Sequence, residues 1–361
     1  MKPPKVAQPA PSTYVFTWAE EGIVGRMERV RLHTRGDVSC EIMLALYVDG
    51  VPRPLYHGKL NDLLATRTRS QMANEIDNVL GKEKDEWKNA IGTMCEYVLE
   101  HVRSGAPAVK LIDTDLSDAV EWRYYPFLFE NHPTVMFALG GSLKSYLAAL
   151  IATLTALGIE GAEPGNVMIL DWESDSEDWL RRCYRVAAGL GYEAPPENIF
   201  YRRCESPLVA EVEAIQKQGA DLDISVYILD SGLWACGGEP EKAEPVMEMF
   251  RALRTLKKTT LVICHQNNEE KTQRPYGNVM WVNSPRSCLQ VMRAEQVQED
   301  SVEVLISQRK ANMMKLIRPF AYEAVFAEED PFRFTIGDSV TFQKLDAVSY
   351  THLTLPTNRE V

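Results

Sequence analysis

The chain has 361 residues, of which 45% are hydrophobic, and its formal net charge at pH 7 is −12. This length and apolar content allow two domains, each with a core of its own. The acidic balance, together with the absence of a long basic run in the sequence, excludes non-specific coating of nucleic acid by the whole surface. Nucleic-acid binding would need a local basic patch, or one that an oligomer assembles.

The seven cysteines are scattered along the sequence, and none belongs to a Cys-x-x-Cys pair. Several lie in apolar runs, which favours small buried residues in a reducing compartment over a disulfide framework. The N-terminus lacks the apolar core of a signal peptide, and the nearly apolar run at 146–159 is too short to span a bilayer. We therefore expect a cytoplasmic protein without membrane association.

The first third of the chain predicts a small α+β domain at residues 14–105, with no side chains that suggest chemistry. Before it, residues 1–13 contain four prolines and predict a disordered lead-in. After it, small and acidic residues at 106–123 predict a linker. Within the domain the pattern predicts strands at 38–48 and 51–59 joined by a turn at Asp49-Gly50, and helices near 70–80 and 86–102.

Residues 124–345 have a different pattern, in which short β-branched strands alternate with helices. This alternation is typical of a parallel sheet with helices on both faces, and the helix-poor segments at the end predict an antiparallel extension. The predicted strands are 135–139, 167–171, 199–203, 226–230, 260–264, 287–292, 303–308 and 320–326, and the predicted helices are 144–157, 175–189, 208–218 and 241–256.

The last residues, 346–361, have an unusual composition that includes the stretch AVSYTHLTLPTNREV. This stretch resembles a translated sequencing adaptor. We therefore expect a non-native tail here and exclude it from fold reasoning.

The stretch TVMFALGGSLKS at residues 134–145 consists of an apolar strand, a glycine turn and a Lys-Ser pair that opens a helix. A phosphate-binding P-loop has this layout: glycines let backbone amides surround a phosphate, the lysine reaches the β- and γ-phosphates, and the hydroxyl holds Mg²⁺. The alternative is an ordinary turn with a solvated lysine. The predicted ATP-binding residues are Gly140, Gly141, Ser142, Leu143, Lys144, Ser145 and Tyr146.

The loop departs from the strict pattern G-x-x-x-x-G-K-[ST] at two positions, where this chain has Ala138 and Leu143. A Cβ at position 143, where the loop is tight, is expected to cost about 1 kcal/mol. Ala138 is a milder change. We expect nucleotide binding to survive and fast turnover to be affected more.

Acidic residues follow two of the predicted strands. Asp230 ends the strand ISVYILD, where a P-loop enzyme holds Mg²⁺ or its water; the alternative is a carboxylate that caps the next turn. Glu173 lies just after a strand that ends at Asp171, and can polarise the water that attacks the γ-phosphate. The alternatives are Asp171 as the base, or helix capping through a Ser174-x-x-Glu177 box. We favour Glu173.

Three further polar positions are candidates. His265 ends a predicted strand, where it can sense the γ-phosphate; a solvated or core histidine is the alternative. Arg309 and Lys310 follow a late strand, from which a basic residue can reach a neighbouring subunit's nucleotide as an arginine finger. From spacing alone a solvated charge pair is the better interpretation of these two, and Arg286 is similarly ambiguous.

Six stretches of the chain resemble, in their order, those of the RecA-like ATPases: TVMFALGGSLKSYLA, VMILDWESD, VYILDSGLWACGGEPEKAE, TTLVICH, RPYGNVMW and ISQRKANMM. The resemblance is to the RepA/DnaB-type helicase branch and to phage and bacterial proteins called AAA family ATPases. It implies a RecA-like P-loop NTPase fold, with Lys144 and Ser145 as the Walker A pair, Asp230 as the Walker B acid and Glu173 as the catalytic glutamate. It also places His265 at the sensor position and the Arg309-Lys310 pair at the trans-acting finger.

Together these features predict Mg²⁺-dependent ATP hydrolysis coupled to work on DNA, in a homo-oligomeric ring or filament. Residues 267–283, with Lys271, Arg274, Tyr276 and Trp281, fall where relatives place loops that face single-stranded DNA. An exposed loop anchored by an aromatic residue is the alternative for this segment. The alternative function is a nucleotide-gated binding module that hydrolyses ATP weakly or not at all.

Overall fold

In the computed structural model, the described residues are 2–10, 12–33, 35–48, 51–80, 84–105, 107–114, 120–267, 273–294, 300–328 and 333–345. The chain divides into two compact units, Met1–Leu116 and Ser117–Val361. No helix of the described residues is long and apolar enough to cross a membrane. The predicted turn at 49–50 and the predicted tail at 346–361 lie outside the described residues.

The first unit contains a five-stranded antiparallel sheet whose strands follow one another in chain order. Along the fourth strand Val38, Cys40, Ile42 and Leu44 alternate with more exposed residues and face the core, which is the period of two that a half-buried strand requires. The strands are β1 (Lys5–Ala10), β2 (Thr13–Trp18), β3 (Ile23–Leu32), β4 (Val38–Val48) and β5 (Val51–Leu60).

Strand β1 corrects the expectation of a disordered lead-in. Lys5, Val6 and Ala7 pair with β2, and the register then shifts before Ala10. β1 is an edge strand, where a proline does not remove a ladder hydrogen bond from a second neighbour. Pro9 lies within the register shift, so the proline content that suggested disorder is compatible with a strand here.

Two helices, α1 (Thr66–Leu80) and α2 (Lys84–Ser104), share one apolar core with this sheet. Gly25 of β3 allows close approach of α2, because a Cβ at this position would lie 2.5 Å from the Met94 sulfur. In the region predicted as a linker, Leu111–Asp113 forms a short 3-10 helix.

The second unit is built on a nine-stranded sheet in the order β10-β9-β11-β12-β8-β13-β14-β15-β16, beside a small two-stranded sheet of β6 and β7. The pairs from β10 to β13 are parallel and those from β13 to β16 are antiparallel, as the alternating pattern predicts. The strands are β6 (Trp122–Tyr124), β7 (Leu128–Phe129), β8 (Pro133–Ala138), β9 (Asn166–Asp171), β10 (Ile199–Arg203), β11 (Ile224–Asp230), β12 (Thr259–His265), β13 (Ser287–Arg293), β14 (Ser301–Ala311), β15 (Phe320–Ala327) and β16 (Ser339–Leu345).

Helices cover both faces of this sheet, because its central strands are apolar on both sides. One core contains side chains of α3 and α4, and the other contains side chains of α5, α7, α6 and α8. The helices are α3 (Lys144–Leu157), α4 (Ser176–Gly189), α5 (Leu208–Asp221), α6 (Gly232–Ala235), α7 (Ala243–Thr255) and α8 (Met280–Asn283). The fold is therefore a mixed α/β P-loop-type core with an antiparallel extension, preceded by a small α+β unit.

The strand order brings the predicted site residues to one edge of the sheet. β12 lies between β8 and β11, with Val262 opposite both Val135 and Leu229. Because these strands are parallel, the P-loop after β8, His265 at the end of β12 and Asp230 at the end of β11 all lie at the carboxyl edge. β9 pairs with β11 in register, Asp171 opposite Asp230, which places Glu173 at the same edge.

All seven cysteines are buried and free, as their positions in apolar runs predict. Burial raises the pKa of the Cys95 thiol to about 11 and that of Cys183 to about 12. Neutral thiols of this kind pack as small apolar side chains.

Candidate functional site: a P-loop cavity

The loop between β8 and α3 curls in the way that a phosphate cradle requires. Gly141 has φ of +70° and Leu143, the N-cap residue of α3, has φ of +59°. Leu143 thus adopts the left-handed conformation with a side chain, which confirms the expected strain at this position. Ala138 ends β8 fully buried, and φ is not positive there, so its Cβ meets no such constraint.

A cavity of about 400 Å³ opens over this loop. A volume of this size suits a small-molecule site. Its lining contains all seven residues that the sequence assigns to nucleotide binding. The other residues around it are Glu173, Ser174, Arg182, Asp230, Ile263 and His265.

Lys144 is held in position by the loop itself. Its Nζ donates hydrogen bonds to the carbonyl oxygens of Ala138, at 3.1 Å, and Leu139, at 2.8 Å. Burial lowers the pKa of the ammonium, although the negative charges of Asp230 and Glu173 oppose this effect. A desolvated cation directed at the cavity is suited to binding a phosphate group.

Asp230 is buried, with 7% of its surface exposed, and its Oδ2 accepts a hydrogen bond from Ser145 Oγ at 3.2 Å. Burial raises the pKa of this carboxyl to about 6, with further contributions from Glu173 and Asp171. A desolvated carboxylate beside a hydroxyl provides two hard oxygen ligands, which fit Mg²⁺. No group of three or more His, Cys, Asp or Glu side chains with metal-binding geometry occurs among the described residues. One carboxylate is sufficient where phosphate oxygens complete the shell.

The structure separates the roles of the two acids after β9. Asp171 is fully buried and accepts hydrogen bonds from Glu173 N at 2.9 Å, Ser174 N at 3.0 Å, Ser174 Oγ at 2.9 Å and Tyr201 Oη at 3.0 Å. These bonds occupy its oxygens and fix the turn. The capping box at Ser174, which was the alternative, does not form: Asp175 is the N-cap of α4 and accepts from Asp178 N at 2.9 Å.

Glu173 is left with its carboxylate facing the cavity. Its Oε1 lies 3.6 Å from His265 Nε2, and both side chains are about two-fifths exposed, at 40% and 42%. The contact with His265 holds the pKa of Glu173 below its ordinary value, with smaller help from the Lys144 charge. Glu173 is therefore an ionised acceptor at neutral pH, accessible to water.

Arg182 is a cavity residue that the sequence interpretation missed. It lies on α4, its guanidinium carbon is 5.4 Å from the centroid of the Trp179 ring, and its charge lowers the pKa of Asp230 against the larger effect of burial. Its Nη1 is buried and has no hydrogen-bond partner within the described part of the chain. Arg182 follows Trp179 by three residues on the inner face of an amphipathic helix, a spacing that could have indicated it.

Arg309 and Lys310 lie outside the cavity. Arg309 Nε donates to Gln290 Oε1 at 2.6 Å, and Gln290 Nε2 donates to Gln266 Oε1 at 3.0 Å. Lys310 Nζ donates to the carbonyl oxygens of three residues that follow the start of α8. Those bonds give Lys310 a structural role, so the expected role of Lys310 as a finger is not supported, and Arg309 remains the candidate of the pair.

The segment predicted to face DNA is only partly available for it. Trp281 is fully buried against Phe250, with ring centroids 5.8 Å apart, so it cannot stack on a base. Tyr276 is 39% exposed, but its hydroxyl is hydrogen-bonded to Glu241. Lys271 lies outside the described residues. The expectation for Trp281 is therefore wrong: a core-anchoring aromatic residue, the alternative in the sequence, is its actual role.

Comparison with known families agrees with this geometry. Residues 105–271 match a family model described as AAA domain. The match includes the P-loop, Glu173, Asp230 and His265, and ends before Arg309. The matched region is therefore similar to domains of the P-loop ATPase type. A comparison with curated proteins finds no match.

The strain at Leu143 leads to a prediction about stability. Leu143→Ala removes packing against the core next to α3 and keeps the left-handed φ, whereas Leu143→Gly removes the same packing and relieves the strain. We expect the glycine variant to be more stable than the alanine variant by about 1 kcal/mol. Urea denaturation of both variants measures the difference, and an alanine variant of equal or greater stability would contradict it.

The buried carboxyl of Asp230 leads to a second prediction. Its folded pKa of about 6 lies above the ordinary value of 3.8, so the stability of the nucleotide-free fold falls as the pH rises from 3.8 towards 6, and the full cost of the buried carboxylate is present above pH 6. Asp230→Asn should therefore raise the free energy of unfolding at pH 8 by roughly 1–3 kcal/mol.

At a pH below the ordinary carboxyl range this advantage should vanish, because Asp230 is then protonated in both states. Denaturation of wild type and variant across this pH range, without nucleotide or Mg²⁺, measures it. A variant that is equally stable or less stable at pH 8 would show that the carboxylate is well solvated or compensated.

Proposed function

We propose that the protein is a Mg²⁺-dependent ATPase whose active site is the P-loop cavity. One observation carries this proposal: a buried lysine, a hydroxyl–carboxylate pair and an ionised glutamate converge on a single cavity of about 400 Å³ over the P-loop. Loop amides and a helix N-terminus favour a polyphosphate there. The match to the AAA domain supports the same assignment.

In this proposal each side chain has a distinct task. Lys144 and Arg182 neutralise charge on the phosphates, and Ser145 with Asp230 holds Mg²⁺, which when bound screens the β- and γ-phosphate oxygens. Glu173 accepts a hydrogen bond from the attacking water and orients it. His265, in contact with Glu173, is positioned to respond to the γ-phosphate.

Further parts of the proposal rest on the sequence resemblance to the RepA/DnaB-type helicase branch. We propose work on DNA in replication or recombination of a mobile element, a homo-oligomer in which Arg309 reaches a neighbour's nucleotide, and a cytoplasmic location. Arg309 is partly buried, its Nε donates to Gln290 Oε1, and its Nη2 is buried without a hydrogen-bond partner among the described residues. In this proposal the side chain has to move outward to reach a neighbour's nucleotide. The rival function, a nucleotide-gated switch, shares the same cavity and differs only in turnover.

Two variants separate these functions. Lys144→Ala should abolish detectable ATP binding, because it removes the cation that the loop carbonyls orient. Glu173→Gln keeps the size and polarity of the side chain but removes its ionised carboxylate, so the variant should bind ATP and hydrolyse it roughly 10²-fold more slowly. Calorimetric ATP binding and steady-state phosphate release are the measurements.

Lys217→Ala is the matched control for Lys144→Ala, since Lys217 is exposed on α5 and does not line the cavity. Unchanged ATP affinity in Lys144→Ala would contradict the site. Wild-type phosphate release in Glu173→Gln would remove Glu173 from the chemistry. Tight ATP binding by the wild type without phosphate release, with and without DNA, would favour the switch.

The oligomer proposal makes a separate prediction. Chains with Lys144→Ala and chains with Arg309→Ala should each be inactive alone. A mixture should partly recover hydrolysis, because an intact P-loop then meets an intact arginine across a subunit boundary. Activity of the mixture, with co-assembly verified by light scattering, is the measurement, and co-assembled chains that stay inactive at every ratio would argue for a site complete within one chain.

A further inference from the structure

A second cavity, of about 380 Å³, lies within the ATPase unit at the amino edge of the sheet, the edge opposite the P-loop. Its walls come from the turn before β8, the end of α7 and the turn after α8. Five basic side chains line it, and the lining contains no acidic residue. We name this group the basic cluster; its members are His132, Arg254, Lys257, Lys258 and Arg286.

The cations of the basic cluster are not neutralised within the described part of the chain, since none of them forms an ion pair there. Arg254 donates one hydrogen bond, from Nη2 to the carbonyl oxygen of Ser284 at 3.0 Å, and that bond leaves its charge uncompensated. Arg254, Lys257 and Arg286 are exposed, and Lys258 is half-buried. Burial and the Arg286 charge lower the pKa of His132, as expected beside cations that lack counter-charges.

This arrangement is unusual for a chain with a net charge of −12. Like charges gathered in one concavity repel one another, and an acidic chain has many carboxylates that could relieve the repulsion. The basic cluster instead presents four permanent cations, with the Asn131 amide and the Ser284 hydroxyl beside them. Guanidinium, ammonium and neutral donors in one recess match the oxygens of phosphate groups.

We propose that the basic cluster binds the phosphodiester backbone of a single nucleic-acid strand. A strand presents closely spaced phosphates, each of which can meet a different cation, whereas the recess is too small for a folded acidic surface. The proposal rests on the DNA-directed part of the proposed function and is independent of hydrolysis. None of the described residues of 267–283 lines this cavity, and Trp281 is buried.

The test is binding of a fluorescent oligothymidylate of about 20 nucleotides, longer than the usual single-strand site. It compares the full chain with Lys257→Ala/Arg286→Ala across a salt series. The control is Lys217→Ala/Arg251→Ala, which also removes one lysine and one arginine from the same unit, outside the cavity. All four mutated positions are exposed. A charge-keeping variant, Lys257→Arg/Arg286→Lys, completes the set.

We expect the cluster variant to lose affinity at least tenfold at low salt, while the control and the charge-keeping variant bind like wild type. If both cations contact phosphates, the slope of log affinity against log salt should flatten by about 1.4 in the cluster variant. Equal losses in cluster variant and control would overturn the proposal, because net charge alone would then explain binding. Unchanged binding in the cluster variant would overturn it as well.

Competition decides the nature of the ligand. Unlabelled oligothymidylate should displace the probe far more effectively than polyglutamate of equal charge; equal displacement would indicate an acidic protein segment and overturn the proposal. ATP binding and phosphate release are measured on the same variants. Strand binding through the cluster without phosphate release would refute the proposed ATPase activity and leave this inference standing. Phosphate release without strand binding through the cluster would refute this inference alone.

Discussion

The site depends on one electrostatic constraint: a carboxylate must remain in a place where water is largely excluded. Asp230 ends a central strand and is flanked by the acids Glu173 and Asp171, and burial raises its pKa to about 6. A single buried carboxylate without a cation is costly, and the surroundings respond to that cost. Ser145 donates to it, Arg182 contributes positive charge, and Lys144 is held nearby by loop carbonyls.

Because of this constraint, the unliganded site lowers the stability of the fold, whereas a bound ligand can offset that cost. Selection for stability alone would replace the desolvated Asp230 by asparagine and the left-handed Leu143 by glycine. Their presence is intelligible if a cation and phosphates supply the missing compensation on binding. Binding that occurs only in the folded state then stabilises the fold by mass action.

Much of this architecture could be predicted from local pattern. The predicted bounds agree with the structure for β4, α3 and β10, because the period of the apolar residues, the β-branched residues and the glycines at the ends indicate the same element there. The P-loop elements follow from one strand, one turn and one helix. β1 was missed because prolines at an edge are locally indistinguishable from a disordered tail. Trp281 was misassigned because the segment before it, residues 267–278, is mostly polar, whereas its burial comes from Phe250, a contact distant in sequence. The spacing of Arg182 to Trp179 could have indicated an inward-facing cation, but its place at the cavity depends on the position of α4 relative to the loop.

The two sites proposed to bind phosphate groups, both in the second unit, share a strand. β8 begins at Pro133, beside the basic cluster, and ends at Ala138, beside the P-loop. Six residues in a strand span roughly 20 Å, about two and a half times the Debye length at physiological salt, so direct attraction or repulsion between a nucleotide and a nucleic-acid strand bound at these sites would be largely screened. Coupling between the sites would have to be mechanical. Hydrogen bonds at the carboxyl edge offer a route for it. Gln266, which follows His265, connects through Gln290 to Arg309, so this network joins His265 to β13 and β14. At its other end, β13 begins next to Arg286 of the basic cluster.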